Sequence, residues 1–294
     1  MLKDISDWEL VGYGGKSTLE KEELRSPDRI DYLIKYPRQT EEAISWEDIT
    51  ELVAAEIGKI FGLEMMKVEI VTRKGKRGCL LLNFVKQYNA LMAEEGGSLL
   101  QSLVEGYEEL LETELDGHEL IDFGFNVMKK FPYFQAMKQE FFDLQIFDIL
   151  IGNQDRHPYN WTLLFLSSGV VFSPVYDNGA SLGFRFDDNK LREMLSNEQA
   201  INRYVNKTRV KAGMFEKKKV KAQELLAYIN ENFPEEFNVS TNKLIQLDLE
   251  KFNYWVSQSG NFLSEAQKEW LLHIIPFRRN KILQWIGKEE ELHE

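Results

Sequence analysis

The chain reads as an α+β protein of two lobes. A small mixed β-sheet lobe occupies residues 1–87, and a larger, mostly helical lobe occupies residues 88–294. Three observations predict this. Short β-like runs alternate with a single helix through the first lobe. Beyond it the apolar spacing turns helical. A length of 294 residues is enough for one bilobal unit or two modest domains.

Taken in order, "GYGGKS" (12–17) is a Gly-rich turn that precedes the first clear strand. In "DYLIKYP" (31–37), Tyr32 and Ile34 face one way, Leu33 and Lys35 the other, and Pro37 ends the strand. "SWEDITELVAAEIGKIFGL" (45–63) carries Ile49, Leu52, Val53, Ile57, Ile60 and Phe61 at helical spacing, with Ser45 expected as N-cap and Gly62 as C-cap. "KVEIVTRKGKRGCLLLNFV" predicts two strands around a basic, Gly-containing turn. "MKQEFFDLQIFDILIG" (137–152) is a strongly apolar helix that ends at Gly152. "WTLLFL" and "VVFSPVY", joined by "SSG", form a hairpin, and the stretch from about residue 188 onward is helix after helix. The basic run "RVKAGMFEKKKVKAQ" (209–223) is expected to be a solvated helix face.

Composition narrows the function. A 43% hydrophobic, 12% aromatic chain buries a real core, so disorder does not explain it. Lys and Arg number 36 against 48 Asp and Glu, a net charge of −12 that disfavours sequence-independent nucleic-acid binding. Cys79 is the single cysteine and sits in an apolar run, so it has no internal disulfide partner and fits a reducing compartment. "MLKDISDWEL" lacks the apolar core of a signal peptide, and no apolar run approaches the roughly 20 residues of a membrane helix. These absences lead us to expect a cytoplasmic protein with no membrane association.

The chemistry concentrates in "GNQDRHPYN" (152–160). Asp155 and Asn160 lie five apart in a loop leaving a rigid helix, and the hairpin that follows can return Asp177 beside Asn160. A carboxylate and an amide oxygen near a second carboxylate suit Mg²⁺, which takes few protein ligands and completes its shell with water and phosphates. Asp155 is then free to orient or deprotonate a hydroxyl, which makes the set a phosphoryl-transfer site. Lys35 is the candidate cation for nucleotide phosphates, held by Glu47, Glu51 or Glu56 from the next helix. Gly14 and Gly15 let backbone amides approach phosphates beside Lys16, although the spacing is not that of a Walker A loop. Individually each piece has a blander use, as a helix cap, a solvated strand lysine or a turn. Their order along the chain favours the functional use.

"IGNQDRHPYNWTLL" followed by "FSPVYDNGASL" resembles the catalytic and metal-binding segments of the HipA-like serine/threonine kinases, in which a G-N-x-D-x-H-x-x-N loop precedes P-x-Y-D. "YLIKYP" resembles that family's nucleotide-lysine strand, and "ELVAAEIGKIFGL" its first helix, which selects Glu51. The resemblance runs from about residue 12 to 185. It implies a bilobal protein-kinase-like fold, with ATP and Mg²⁺ as cofactors. Asp155 would be the catalytic base, and Asn160 and Asp177 would hold the metal. Lys35, paired to Glu51, would contact the phosphates. The Gly-rich turn, with Gly14, Gly15 and Lys16, would cover the nucleotide, and backbone from Leu82 to Phe84 would meet the adenine. His157 stands where ordinary protein kinases carry a lysine, either donating to the transferred phosphate or bracing the loop. Pro158-Tyr159 replaces a common Leu-Lys and removes a cation from the loop. The chain leaves little room for the extra N-terminal subdomain of full-length members and so is similar to the short ones. Ser17 and Thr18 stand where some members phosphorylate their own Gly-rich turn.

Three functional classes follow. The leading one is a kinase acting on a protein serine or threonine, of toxin or effector type, with an unidentified protein substrate and an antitoxin or other regulatory partner. A phosphoinositide or small-molecule kinase is the second, because phosphoinositide kinases share D-R-H-x-x-N; they usually follow it with D-F-G, whereas this chain has Asp177-Asn178-Gly179. The third is a nucleotide-binding regulatory module without catalysis.

Overall fold

A computed structural model describes residues 2–13, 19–39 and 44–289. The N-terminal strands are β1 (Lys3–Asp4), β2 (Glu9–Tyr13), β3 (Lys21–Arg25) and β4 (Asp31–Lys35). Helix α1 (Glu47–Phe61) follows, then β5 (Val68–Arg73) and β6 (Lys76–Leu82). Among the described residues these strands form one six-stranded sheet in the order β1-β5-β6-β4-β3-β2, antiparallel except where β1 pairs with β5. The alternation that predicted β4 holds: Ile34 is buried, and Lys35 lies in register with Lys21 on one side and Cys79 on the other.

Helix α1 ends at Gly62, as expected, but Ser45 does not cap it. Trp46 occupies the N-cap position, and the Ser45 hydroxyl donates to Glu47 Oε1 at 2.9 Å, which takes it away from the backbone amides. The helix carries Glu47 and Asp48 in its first turn, where carboxylates favour the positive end of the helix dipole.

A short helix, α2 (Phe84–Gln87), leads into β7 (Met92–Glu95), a strand inside a stretch expected to be helical. Helices α3 (Gly96–Leu103), α4 (Tyr107–Glu112), α5 (Gly117–Lys130) and α6 (Phe134–Ile151) follow. The predicted hairpin is β8 (Thr162–Leu166) with β9 (Gly169–Phe172), and β7 joins it as a third strand. Next come α7 (Asp188–Leu195) and α8 (Glu198–Asn206). Arg209–Val210 (β10) and Val220–Lys221 (β11) then form a two-stranded ladder, so the basic run is a strand-loop-strand rather than a helix face. Ala212 and Gly213 take φ of 55° and 64°, which no α-helix accommodates. Helices α9 (Ala222–Asn232), α10 (Pro234–Ile245), α11 (Leu249–Gln258) and α12 (Glu265–Trp285) complete the chain. Among the described residues no helix is long and apolar enough to cross a membrane.

Helix α6 is the axis of the C-terminal region. It is apolar on nearly all sides, as a helix enclosed by neighbours must be, and its Phe141, Phe142, Ile146, Phe147 and Leu150 are inaccessible to solvent. One continuous core joins α6 to the buried face of α1, where Phe61 and Phe147 rings lie 6.0 Å apart. A second, small cluster (Ile5, Trp8, Leu24, Ile34, Tyr36, Val71, Leu80) stabilises the N-terminal sheet.

Candidate active site

Helix α6 delivers the loop that carries the chemistry. Gly152 ends it at φ 67°, with its backbone pressed against Arg278; a Cβ there would lie 2.5 Å from Nη2. The chain then turns sharply around Asp148, the last polar group on the helix. The Asn153 amide nitrogens, backbone and side chain, donate to Asp148 O and Oδ1 at 2.8 and 2.9 Å. Asn153 Oδ1 in turn accepts from Asp155 N at 3.0 Å.

Arg156 is fully buried and ties the loop to the segment that follows the hairpin. Its guanidinium donates to both Asp148 oxygens at 3.0 and 3.2 Å, to Asn160 O at 2.7 Å and to Asn178 Oδ1 at 2.5 Å, and it also reaches Tyr176 O. A planar fork of five donors suits this many acceptors. Asn160 is further fixed by its Nδ2 donating to Asp155 O at 2.9 Å.

The segment bearing Asp177 is gripped from the N-terminal side. Glu51 accepts from Asn178 N (2.7 Å), Asn178 Nδ2 (3.1 Å) and Gly179 N (2.8 Å), while the Thr50 hydroxyl donates to Gly179 O at 2.7 Å. Position 179 has no space for a side chain, since a Cβ would lie 2.9 Å from Glu47 O. Asp177 itself sits at φ 58°, a left-handed conformation that costs an ordinary residue energy and is held here by the bonds around it. Lys35 Nζ donates to Asp177 Oδ1 at 3.0 Å. The ion pair of Lys35 therefore runs to Asp177 and not to Glu51, whose oxygens accept from the three N–H donors.

These groups line one cleft of about 900 Å³ between the sheet and the helical region, a volume in the range of small-molecule sites. Lys35, Glu51, Asp155, His157, Asn160 and Asp177 all border it, as do Leu82, Asn83 and Phe84 at its far edge. The amides of Leu82 and Asn83 already donate to Lys67 O and Asp31 O, so a base at that edge must use other backbone groups. Gly14, Gly15 and Lys16 lie outside the described residues, as do Ser17 and Thr18.

Two cations escaped the sequence-based expectation. Lys21, opposite Lys35 in register, also faces the cleft. Lys211 places Nζ 2.7 Å from Asp155 Oδ1. Alternation within "KEELR" could have marked Lys21. Lys211 lay in a run that composition alone presents as a solvated patch.

The electrostatics are coupled. Burial opposes the charge on Lys35, yet Asp177 and Glu51 outweigh it and hold its pKa above the usual lysine value. Burial likewise works against the Asp177 carboxylate, but Lys35, Arg156 and His157 hold its pKa below the ordinary value. Its side chain retains 41% exposure, so the carboxylate is reachable from the cleft. Glu51 is pushed upward by burial, with Asp177 adding to the effect against Lys35. Lys21 is lowered by burial and by the charge of Lys35. His157 is lowered by burial, with Lys211 and Arg156 opposing the pull of Asp155, and its Nδ1 is buried without a hydrogen-bond partner.

A sheet-rich lobe and a helical lobe closing on a cleft with this set of groups define a protein of the kinase fold. The chain belongs to the HipA-like C-terminal domain family, which it matches over residues 8–237. It is 25% identical over 260 residues to the serine/threonine-protein kinase CtkA of Helicobacter pylori strain J99, covering 86% of this chain and 77% of that protein. The crystal structure of the H. pylori proinflammatory kinase CtkA superposes with a TM-score of 0.77 at 22% identity, over 100% of this chain and 99% of that one. HipA from Shewanella oneidensis MR-1, in its toxin–antitoxin complex with HipB and operator DNA, matches with a TM-score of 0.56 at 13% identity. That match covers 99% of this chain and 69% of HipA.

Proposed function

We propose that the chain is a serine/threonine protein kinase that transfers the γ-phosphate of ATP with the help of Mg²⁺. The observation that carries this is the convergence of Asp155, Asn160, Asp177 and Lys35 on one cleft, from segments spread across residues 35–177. The Asp177 carboxylate and the Asn160 amide oxygen are the sparse, hard ligands that Mg²⁺ accepts beside phosphates. Bound there, the ion would neutralise phosphate charge.

The chain's own residues would do the rest. Lys35 and Lys21 would bind phosphates from the sheet side. Asp155, with 48% of its side chain exposed, would orient the acceptor hydroxyl and take its proton. Lys211 would keep that carboxylate aimed and balance its charge. His157, whose buried surroundings disfavour its charged form, would brace the loop. Arg156 supplies no support for a lipid kinase, because its guanidinium is sealed against Asp148 and away from any substrate. A regulatory protein partner, as in the HipA–HipB complex, belongs to the proposal, as does a cytoplasmic location where ATP is supplied. Direct nucleic-acid contact does not, given the net charge of −12.

The test is phosphate transfer from labelled ATP to protein in a cell lysate and to the chain itself. Asp155→Asn should lower transfer by about 10²- to 10⁴-fold, the usual contribution of a positioned base, while nucleotide affinity stays within a few-fold. Transfer at the wild-type rate would remove Asp155 from the mechanism. Labelled lipid with unlabelled protein would redirect the proposal to a lipid kinase.

A further inference from the structure

A second pocket, of about 230 Å³, adjoins the interlobe cleft and shares Asp155, Ala180 and Arg38 with it. Its other walls include Arg185, Lys219, Phe184 and Tyr204. Among the described residues, three cations therefore border a pocket whose one carboxylate is Asp155, in a chain whose overall charge is −12. That carboxylate is already held by Lys211, and Arg38 is paired with Glu47 at 3.5 Å. Arg185 stacks over the Phe184 ring, 5.1 Å from its centroid, a contact that leaves the edge of a guanidinium able to donate.

The placement of Lys219 is the telling feature. The β10–β11 ladder pairs Arg209 with Lys221 and Val210 with Val220, and the loop it closes brings Lys211 to Asp155 and Lys219 to the wall of this pocket. Burial followed by the charges of Lys211 and Arg185 depresses the Lys219 pKa, and Asp155 opposes them. This is no floppy basic loop. Gly213 N donates to Arg156 O at 2.7 Å, Trp161 Nε1 to Gly213 O at 2.9 Å and Gln145 Nε2 to Ala212 O at 2.9 Å. The fold thus anchors the loop that carries Lys211 and Lys219 beside the base, and such preorganisation favours an anionic ligand.

We propose that this pocket is the acceptor subsite, in which Lys219 and Arg185 bind an anionic side chain flanking the hydroxyl residue of a peptide. The inference rests on the kinase function proposed above. The pocket accommodates one or two side chains, and the shared chemistry is a carboxylate or a phosphate, so the substrate is an acidic or previously phosphorylated segment.

Calorimetry with the full chain, Mg²⁺ and a non-hydrolysable ATP analogue tests it. The probes are serine peptides with Glu, phosphoserine, Gln or Lys at each of the three positions on either side. Glu or phosphoserine at one position should bind at least about tenfold more tightly than Gln, as expected for a charged hydrogen-bonded contact. Whichever of the two gains more identifies the anion. Lys219→Met and Arg185→Ala should each erase most of this gain while leaving the Gln peptide within twofold. Equal affinity for Glu, phosphoserine and Gln at every position overturns the proposal, as does a preference that survives both substitutions. Phosphate transfer to the same peptides separates the two claims. Transfer without anionic preference sinks the subsite alone; anionic preference without transfer to any peptide or to the chain sinks the kinase function alone.

Discussion

Arg156 shows how position in a motif and role in a site can part company. It sits between two groups that face the cleft, yet it is sealed in the protein and bridges Asp148, Asn160, Tyr176 and Asn178. Lysine at this position keeps the charge but cannot fork across Asp148 and also meet the carbonyls. Arg156→Lys should therefore destabilise the fold by about 1–3 kcal/mol, the cost of leaving buried acceptors unsatisfied, read as a lower urea midpoint at unchanged slope. An unchanged midpoint would mean that the bridge carries little energy. His157 makes a separate prediction, through pH. Its folded pKa is depressed, so the unfolded chain protonates first, near the ordinary value of 6.5. Stability from this group is complete above that value and is lost as the pH falls through and below it. Thermal melts of wild type and His157→Asn, compared from about pH 7 to pH 5, should converge as the wild type loses its advantage. Parallel curves would show that His157 titrates alike in both states.

At the scale of elements, α1 does more than support the nucleotide lysine. Its Glu51 receives three N–H groups from Asn178 and Gly179, so the helix positions the backbone that directly follows the strained Asp177. Glu51→Gln keeps the shape but replaces one acceptor oxygen with a donor facing donors. The expected cost is about 1–3 kcal/mol from unsatisfied buried groups, with Mg²⁺-nucleotide affinity weakened about tenfold in calorimetry for each 1.4 kcal/mol felt by Asp177. A nucleotide affinity equal to wild type would mean that Asp177 keeps its place without this grip. The helix itself was legible because 3.6-residue periodicity is a local signal, and its end at Gly62 followed from the same logic. The partner of Glu51 was not, since a contact spanning 127 residues leaves no local trace. The β10–β11 ladder was equally hidden. Two-residue strands are too short to show a period, and a left-handed turn that begins at Ala212 lacks the usual Gly or Asn cue at that residue. Lys211 and Lys219 were thus assigned to solvent when they belong beside Asp155.

On the scale of the whole molecule, the order of motifs predicted two lobes but not how they are joined. Met65 bridges Val175 in parallel, Val175 N donates to Glu64 O at 2.8 Å and Met66 N donates to Val175 O at 3.0 Å, so the segment leading to Asp177 is stitched to the N-terminal lobe. The main core also crosses the boundary, because α1 buries Ile49, Val53, Ile57 and Phe61 in the same cluster as Phe147 of α6. A core shared in this way should make the lobes unfold as one unit. Phe61→Ala should cost about 3–5 kcal/mol, the range for emptying an aromatic site in a packed core. Its diagnostic effect is where that cost is felt. Hydrogen–deuterium exchange followed by mass spectrometry should show amides of β4 and β6 and amides of α6 accelerating together, since both would exchange through the same global opening. Acceleration confined to α1 and the sheet, with α6 protected as in the wild type, would show that the N-terminal lobe opens independently. In that case nucleotide bound between Lys35 on the sheet and Asn160 on the loop after α6 would be what couples the lobes, and its addition would restore common exchange in the variant.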